Sequence, residues 1–280
     1  NAGASAATRL AGFQSGTENF ETATILSGGN PNLRNETSKV WTYGIVLEPR
    51  FIPGLTFSAD RIEIDLSDGL VFFDTADFAA ACYDSANPDP SVCNAFTRLA
   101  TADPANPGGT IITGTSTTFN AGVIRYRGEV YTLDYRFPLD TVFGGDNLGN
   151  LRLTVQATHN ALYETSITGE TFTRIDNTYI SPTWSGRFNA VYDRGPLRVS
   201  YQLDYLDETR SGTDATIETT PNPVLAANVV QSISAQYDLG DFSIRGGIDN
   251  FTDTQPSYPQ IAYGDILGRR FYLGVHVKLR

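Results

Sequence analysis

From Lys39 to Arg280 the chain repeats one pattern. About ten residues alternate apolar and polar, and a tract rich in Gly, Asn, Asp, Thr and Pro follows. Side chains alternate at period two in a strand, so each repeat predicts a strand with one apolar and one polar face. The last repeat, RRFYLGVHVKLR at Arg269–Arg280, shows the division most plainly. Phe271, Leu273, Val275, Val277 and Leu279 share one face, and Arg270, Tyr272, Gly274, His276, Lys278 and Arg280 share the other.

Eight earlier segments read the same way. Trp41, Tyr43, Ile45 and Leu47 are the apolar set of Lys39–Glu48. Leu55, Phe57 and Ala59 begin a strand over Leu55–Leu66 whose phase then slips to Ile62, Ile64 and Leu66. That slip predicts either a bulge or a strand that has left its apolar surroundings. Tyr131, Leu133, Tyr135 and Phe137 mark a strand at Arg127–Phe137, and Leu151, Leu153, Val155 and Ala157 mark the next. Two hairpins follow, Trp184–Tyr192 with Leu197–Tyr205, and Ser232–Leu239 with Phe242–Asp249.

Ten residues is near the length a tilted strand needs to cross a bilayer. The connections after Glu48, Phe137, Tyr192 and Leu239 are short or moderate, and those after Leu66, Leu162, Asp207 and Asp249 are long. Short turns at one end and long loops at the other are the rhythm of an outer-membrane barrel. The expected class is therefore all-β, a transmembrane antiparallel β-barrel, with 1–37 an outer loop, 38–280 barrel strands, and the longest loop about 67–122. The terminal strand follows a long loop, so it is expected to end on the periplasmic side. Tyr and Trp toward the strand ends fit an aromatic girdle. Nine strands cannot close a bacterial barrel, whose count is even, and an open edge in lipid leaves backbone groups unpaired. The chain is thus expected to be the C-terminal portion of a larger barrel.

Composition changes this picture little. Hydrophobic residues make up 40% of the 280 and mean hydropathy is −0.21, with no apolar run long enough for a spanning helix. Alternation with polar positions dilutes a barrel's hydropathy, so a barrel is not excluded. The chain holds no Met and no signal peptide, which predicts that it begins inside a longer protein. A net charge of −11 argues against nucleic acid. It reads as solvated acidic loops, or else as a surface that draws cations, including metal ions bridging to lipopolysaccharide. Cys82 and Cys93 flank a loop with Pro88 and Pro90, in a spacing unlike a zinc site. A disulfide in an oxidising compartment is the favoured reading, against two free thiols.

Candidate chemistry is sparse. His159 and His276 are the two histidines, and no G-x-S-x-G elbow or Gly-rich phosphate loop accompanies them. Asp84 and Asp89 lack the ligand spacing of an EF-hand. The polar-face arginines Arg136, Arg152, Arg187, Arg198 and Arg245 are expected in the lumen with His276. There they line a solute path or touch a plug, or, as favoured, pair with Asp134, Asp204 and Asp249 and stiffen the wall. No catalytic, cofactor-binding or metal-binding residue is assigned.

Several stretches resemble TonB-dependent outer-membrane receptors. GNPNL at Gly29–Leu33 with ETS after it is similar to the segment before one of their strands, and Phe51–Leu70 to the following hairpin. The Cys82–Cys93 loop with Phe96–Arg98, the stretches Tyr126–Leu139 and Tyr192–Tyr205, and NFTDTQP at Asn250–Pro256 add to the likeness. The end of the chain resembles their C-terminal assembly strand through Phe271, Tyr272, Gly274, Val277 and Leu279, although the final Arg280 stands where an aromatic is usual. The resemblance implies energised import of a scarce small solute across the outer membrane of a Gram-negative bacterium. It further implies a barrel of about 22 strands, a plug absent from this chain, and a TonB-type energy-coupling protein acting through that plug. Lipid, lipopolysaccharide and the barrel assembly machinery are the other implied partners. A passive porin-like barrel is the alternative, an outer-membrane barrel hydrolase stands behind it, and a soluble sandwich is weakest.

Overall fold

A computed structural model describes residues 23–84, 90–100, 109–167, 169, 171–259 and 263–277. In chain order the strands are β1 (Thr24–Ser27), β2 (Thr37–Leu47), β3 (Leu55–Phe73), β4 (Phe96–Arg98), β5 (Ile111–Pro138), β6 (Asn150–Ser166) and β7 (Thr173–Arg174). They continue as β8 (Trp184–Arg194), β9 (Leu197–Leu206), β10 (Thr209–Arg210), β11 (Val224–Leu225), β12 (Asn228–Asp238), β13 (Phe242–Asp249) and β14 (Arg270–Val277). Among the described residues three short helices lie between strands: α1 (Thr75–Asp84), α2 (Pro90–Cys93) and α3 (Asp140–Phe143). Among the described residues no helix is long and apolar enough to cross a membrane.

Nine strands follow one another in the order β14-β13-β12-β9-β8-β6-β5-β3-β2 within a 12-stranded sheet, in which β1 and β4 pair with β5, and β7 with β6, off that path. Each neighbour is reached by a chain reversal, so the order follows directly from alternating short and long connections. The nine agree with the nine periodic segments of the sequence. Both edge strands are bare: every residue of β2 is exposed, and Phe271, Leu273 and Val275 of β14 are 64–79% exposed. Such edges present unpaired backbone donors and acceptors.

The chain divides into two compact units. One comprises Asn1–Lys39, Asp65–Ile124 and Thr165–Thr173, and the other Val40–Ile64, Arg125–Glu164 and Arg174–Arg280. The first holds the buried apolar cluster Phe73, Phe78, Ala79, Ala81, Cys82, Val92 and Phe96. Phe73, Phe78 and Phe119 meet edge-on or tilted, with ring centroids 5.0–5.8 Å apart. Helix α1 starts at a reciprocal cap. Asp74 accepts from the Ala76 and Asp77 N–H groups at 2.8 and 2.9 Å, and Asp77 accepts from the Asp74 N–H at 3.0 Å. An alanine-rich body then carries it to Cys82. The Cys82–Cys93 disulfide forms and ties α1 to α2. Closing so short a loop is worth about 3 kcal/mol through the unfolded chain's lost entropy.

Three expectations need correction here. The region 67–122 is not one loop: β3 runs on to Phe73, β5 begins at Ile111, and α1, α2 and β4 lie between. Residues 1–37 are not all loop either, because β1 pairs in parallel with β5 through Thr24–Thr113 to Ser27–Ser116, and β2 starts at Thr37. The long connection after Asp207 is not wholly irregular, since β10 and β11 form a small hairpin within it. In each case strand pairing persists where the apolar alternation stops. Pairing needs only backbone groups and tolerant side chains such as Thr and Ser, whereas alternation needs one apolar and one polar side.

Within the second unit, Gly54 closes the β2–β3 turn at φ +85° and accepts a hydrogen bond from the Arg136 N–H at 2.9 Å. A Cβ there would collide with the Arg136 carbonyl oxygen. Gly54→Val should therefore cost about 2–3 kcal/mol through strain and lost β3–β5 contact. A denaturant-unfolding midpoint unchanged from the parent would refute this.

Candidate functional site

The register of β6 through β14 divides the sheet into two chemically different faces. On one face a single row runs Leu153–Ala190–Tyr201–Ile233–Ile248–Phe271 across six strands. The adjacent row is Leu151–Tyr192–Val199–Ala235–Gly246–Leu273. On β9 this apolar set spans Leu197 to Tyr205, about 26 Å along the strand at the usual rise. That is close to the ~25 Å apolar band of outer-membrane barrels.

The other face is polar in the same register. Its rows include Arg152–Val191–Ser200–Ser234–Gly247–Tyr272 and Asn150–Asp193–Arg198–Gln236–Arg245–Gly274. Arginines and carboxylates on neighbouring strands are paired. Arg152 Nε donates to Asp134 at 2.8 Å, Arg187 Nε to Asp204 at 2.5 Å, and Arg198 Nε to Asp193 at 2.6 Å. Arg245 lies over the Tyr272 ring at 5.6 Å. Of the anticipated partners, Asp134 and Asp204 pair with Arg152 and Arg187, but Asp249 faces Arg270 at 3.9 Å instead. Arg136 is exposed, and His276 is exposed opposite Ser243. Leu279 lies outside the described residues, as does Asp89. No cluster of His, Cys, Asp or Glu among the described residues is arranged to hold a metal ion.

Toward the long connections the polar face hollows into a recess of about 710 Å³. Gln156, Arg187, Gln202, Asp204, Asn228 and Ser232 line it from the strands, and Asp265 and Arg270 close its rim. Two loop-end contacts build that rim. Asn228 donates to the Gln255 carbonyl at 2.9 Å, and Arg270 donates to both oxygens of Asp265 at 3.0 and 2.9 Å. Burial pushes the Asp265 carboxyl up, but donation from Arg270 and the Leu267 N–H outweighs it and holds the group below its ordinary 3.8. Tyr263 donates to the Asp207 carbonyl at 2.5 Å, and burial, helped by the Asp207 charge, pushes its hydroxyl up to about 12.

The Asp265 contribution has a defined sign. A folded pKa below the unfolded one stabilises above the unfolded value and is lost as pH falls through the folded one. Pepsin, normalised to a reference peptide, should therefore cut within 250–269 faster at about pH 2.5 than at about pH 4.5. Asp265→Asn should abolish that difference; an unchanged difference in the variant would disprove the assignment.

The apolar face ends in a charged belt that the sequence did not reveal. His159 continues the row above Ala157, stacks on its cross-strand partner Trp184 at 4.4 Å, and shares 2.7 Å with Glu129. Glu129 also accepts from Arg61. Glu63 accepts from Arg61 at 3.2 Å and Tyr43 at 3.3 Å, with Arg127 at 3.6 Å. The phase slip on β3 thus marks changed surroundings: Arg61 and Glu63 stand two and four residues beyond Ala59, where the apolar band stops.

No family model and no curated protein matches the chain. Solved structures do. The siderophore receptor PirA from Acinetobacter baumannii is similar at 16% identity and TM-score 0.56, over 89% of this chain and 32% of that one. The FrpB iron transporter from Neisseria meningitidis is similar at 14% and 0.55, over 90% and 32%. The outer membrane transporter YddB from Escherichia coli is similar at 10% and 0.56, over 92% and 35%. The chain spans about a third of the length of these proteins. The fold is therefore that of part of a transmembrane antiparallel β-barrel, like those of the receptor and transporters just named.

Proposed function

We propose that this chain is wall, outer loops and closing strand of a TonB-dependent transporter that imports a scarce small solute across the outer membrane of a Gram-negative bacterium. The observation that carries the reading is the two-faced register of the sheet. An apolar face in continuous rows suits lipid, and a polar face of paired charges and a recess suits a filled or solvated lumen. The bare edges of β2 and β14 support further strands on both sides, as does a match to a third of each solved receptor. On this reading the polar-face arginines stiffen the wall, and Phe271, Tyr272, Gly274 and Val277 serve assembly. The protein performs no covalent chemistry; solute capture and release follow movement of a plug driven by the energy-coupling protein.

The test is the intact mass and N-terminal sequence of the native polypeptide from detergent-extracted outer membrane, with crosslinking to the TonB-type protein. A product about three times as long as this chain, by the shares matched, that crosslinks through its N-terminal segment is expected. A native product beginning at Asn1, or one with no such crosslink, would overturn the proposal.

A further inference from the structure

The acidic surplus of this chain sits in one set of segments. The four that carry the long connections (67–122, 163–183, 207–227 and 250–269) contain fifteen Asp and Glu against four Arg, a surplus equal to the whole net charge of −11. The remainder is balanced, with sixteen acidic and sixteen basic residues. The recess repeats the bias on a smaller scale. Asp204, Asp249 and Asp265 face only Arg187 and Arg270 there, and both arginines are already engaged by those carboxylates.

An anion entering this recess would have to draw a guanidinium away from its carboxylate and cross a surface of like sign. Clefts focus the field of the charges that line them, so the penalty is largest inside the recess. The uncharged lining, including Gln156, Thr158 and Ser232, offers amide and hydroxyl groups to a polar solute without demanding charge. We propose that the solute is uncharged or cationic and bears hydroxyl or amide groups, and that the recess turns anions away. This rests on the transport reading above.

The Cys82–Cys93 disulfide leaves no free thiol among the described residues, so Ser232→Cys introduces a single reactive group into the recess. In outer-membrane vesicles carrying the native polypeptide, that thiol would be reacted with a trimethylammonium methanethiosulfonate and with its sulfonate counterpart. Rates would be normalised to a free thiol in solution. The cationic reagent should be favoured on the order of tenfold at low ionic strength, and the preference should shrink at about 1 M salt. Asp249→Asn with Asp265→Asn should lower it several-fold, and Asp214→Asn with Glu218→Gln, both exposed in the 207–227 segment, should lower it without touching the wall. Equal rates, or a preference for the sulfonate, would overturn the proposal. So would no reaction with either reagent, since the recess would then be closed to solute. The ratio reads the recess in any barrel, so failure of the transporter reading would appear in the native mass and not here.

Discussion

Ile233→Arg should strongly destabilise the chain's host polypeptide in a bilayer, while Ser234→Arg, one residue on, should leave its stability intact. Ile233 sits in the middle of the apolar row, with Tyr201 on one side and Ile248 on the other. An arginine at the lipid-facing midplane of a barrel costs about 2–4 kcal/mol, a large share of a stability of about 5–15 kcal/mol. Ser234 lies between Ser200 and Gly247 on the polar face, where an added guanidinium stays out of lipid. The measurement is heat-modifiable mobility after refolding into lipid vesicles, followed by the denaturant midpoint of whatever folds. Equal behaviour of the two variants would show that the faces are wrongly assigned, and with them the lumen.

How far the fold could be read beforehand depended on what surrounds each strand. Lipid on one side and a polar interior on the other force a two-residue alternation, so the nine strands were legible over their membrane-crossing lengths. Beyond the band, β3 and β5 stay paired, and apolar packing there is confined to residues such as Val71, Phe73 and Phe119 that meet the buried cluster. Runs such as Thr113–Thr118 then carry no alternation to read. Helix α1 was missed for a related reason: besides the adjacent Phe73, its ten residues fold against Phe96 and Phe119, which arrive from later segments. Proximity of Cys82 and Cys93 in sequence was enough for the disulfide. The ion pairs were half legible. Asp134 and Asp204 share a polar face with arginines, but which strands adjoin decides the pairing, and Asp193 or Asp265 could be matched to a partner only once register was known. The charged belt was hidden because Arg61, Glu63, Glu129 and His159 come from three strands and look like interruptions in each.

That belt supports the second large prediction. Glu129 is its hinge, accepting from Arg61 on β3 and sharing a proton-mediated contact with His159 on β6 at 2.7 Å. Glu129→Ala removes both contacts and leaves Arg61 with Glu63, while Arg127 keeps the Ile64 and Tyr126 carbonyls. Hydrogen bonds to charged groups are worth about 1.5–3 kcal/mol, and partial exposure of the pair reduces its Coulombic share. The expected loss is therefore about 2–3 kcal/mol for Glu129→Ala and about 1 kcal/mol for Glu129→Gln, which keeps an acceptor oxygen. Because Arg61 and Glu129 act through each other, the double change with Arg61→Ala should cost less than the sum of the single ones by about 1 kcal/mol. Unfolding midpoints in lipid vesicles for the four proteins of the cycle supply the number. Strict additivity would mean that the belt is a set of independently solvated charges, and the stability of the β3–β5–β6 part of the sheet would then have to come from the backbone ladder and stacking such as that of His159 on Trp184.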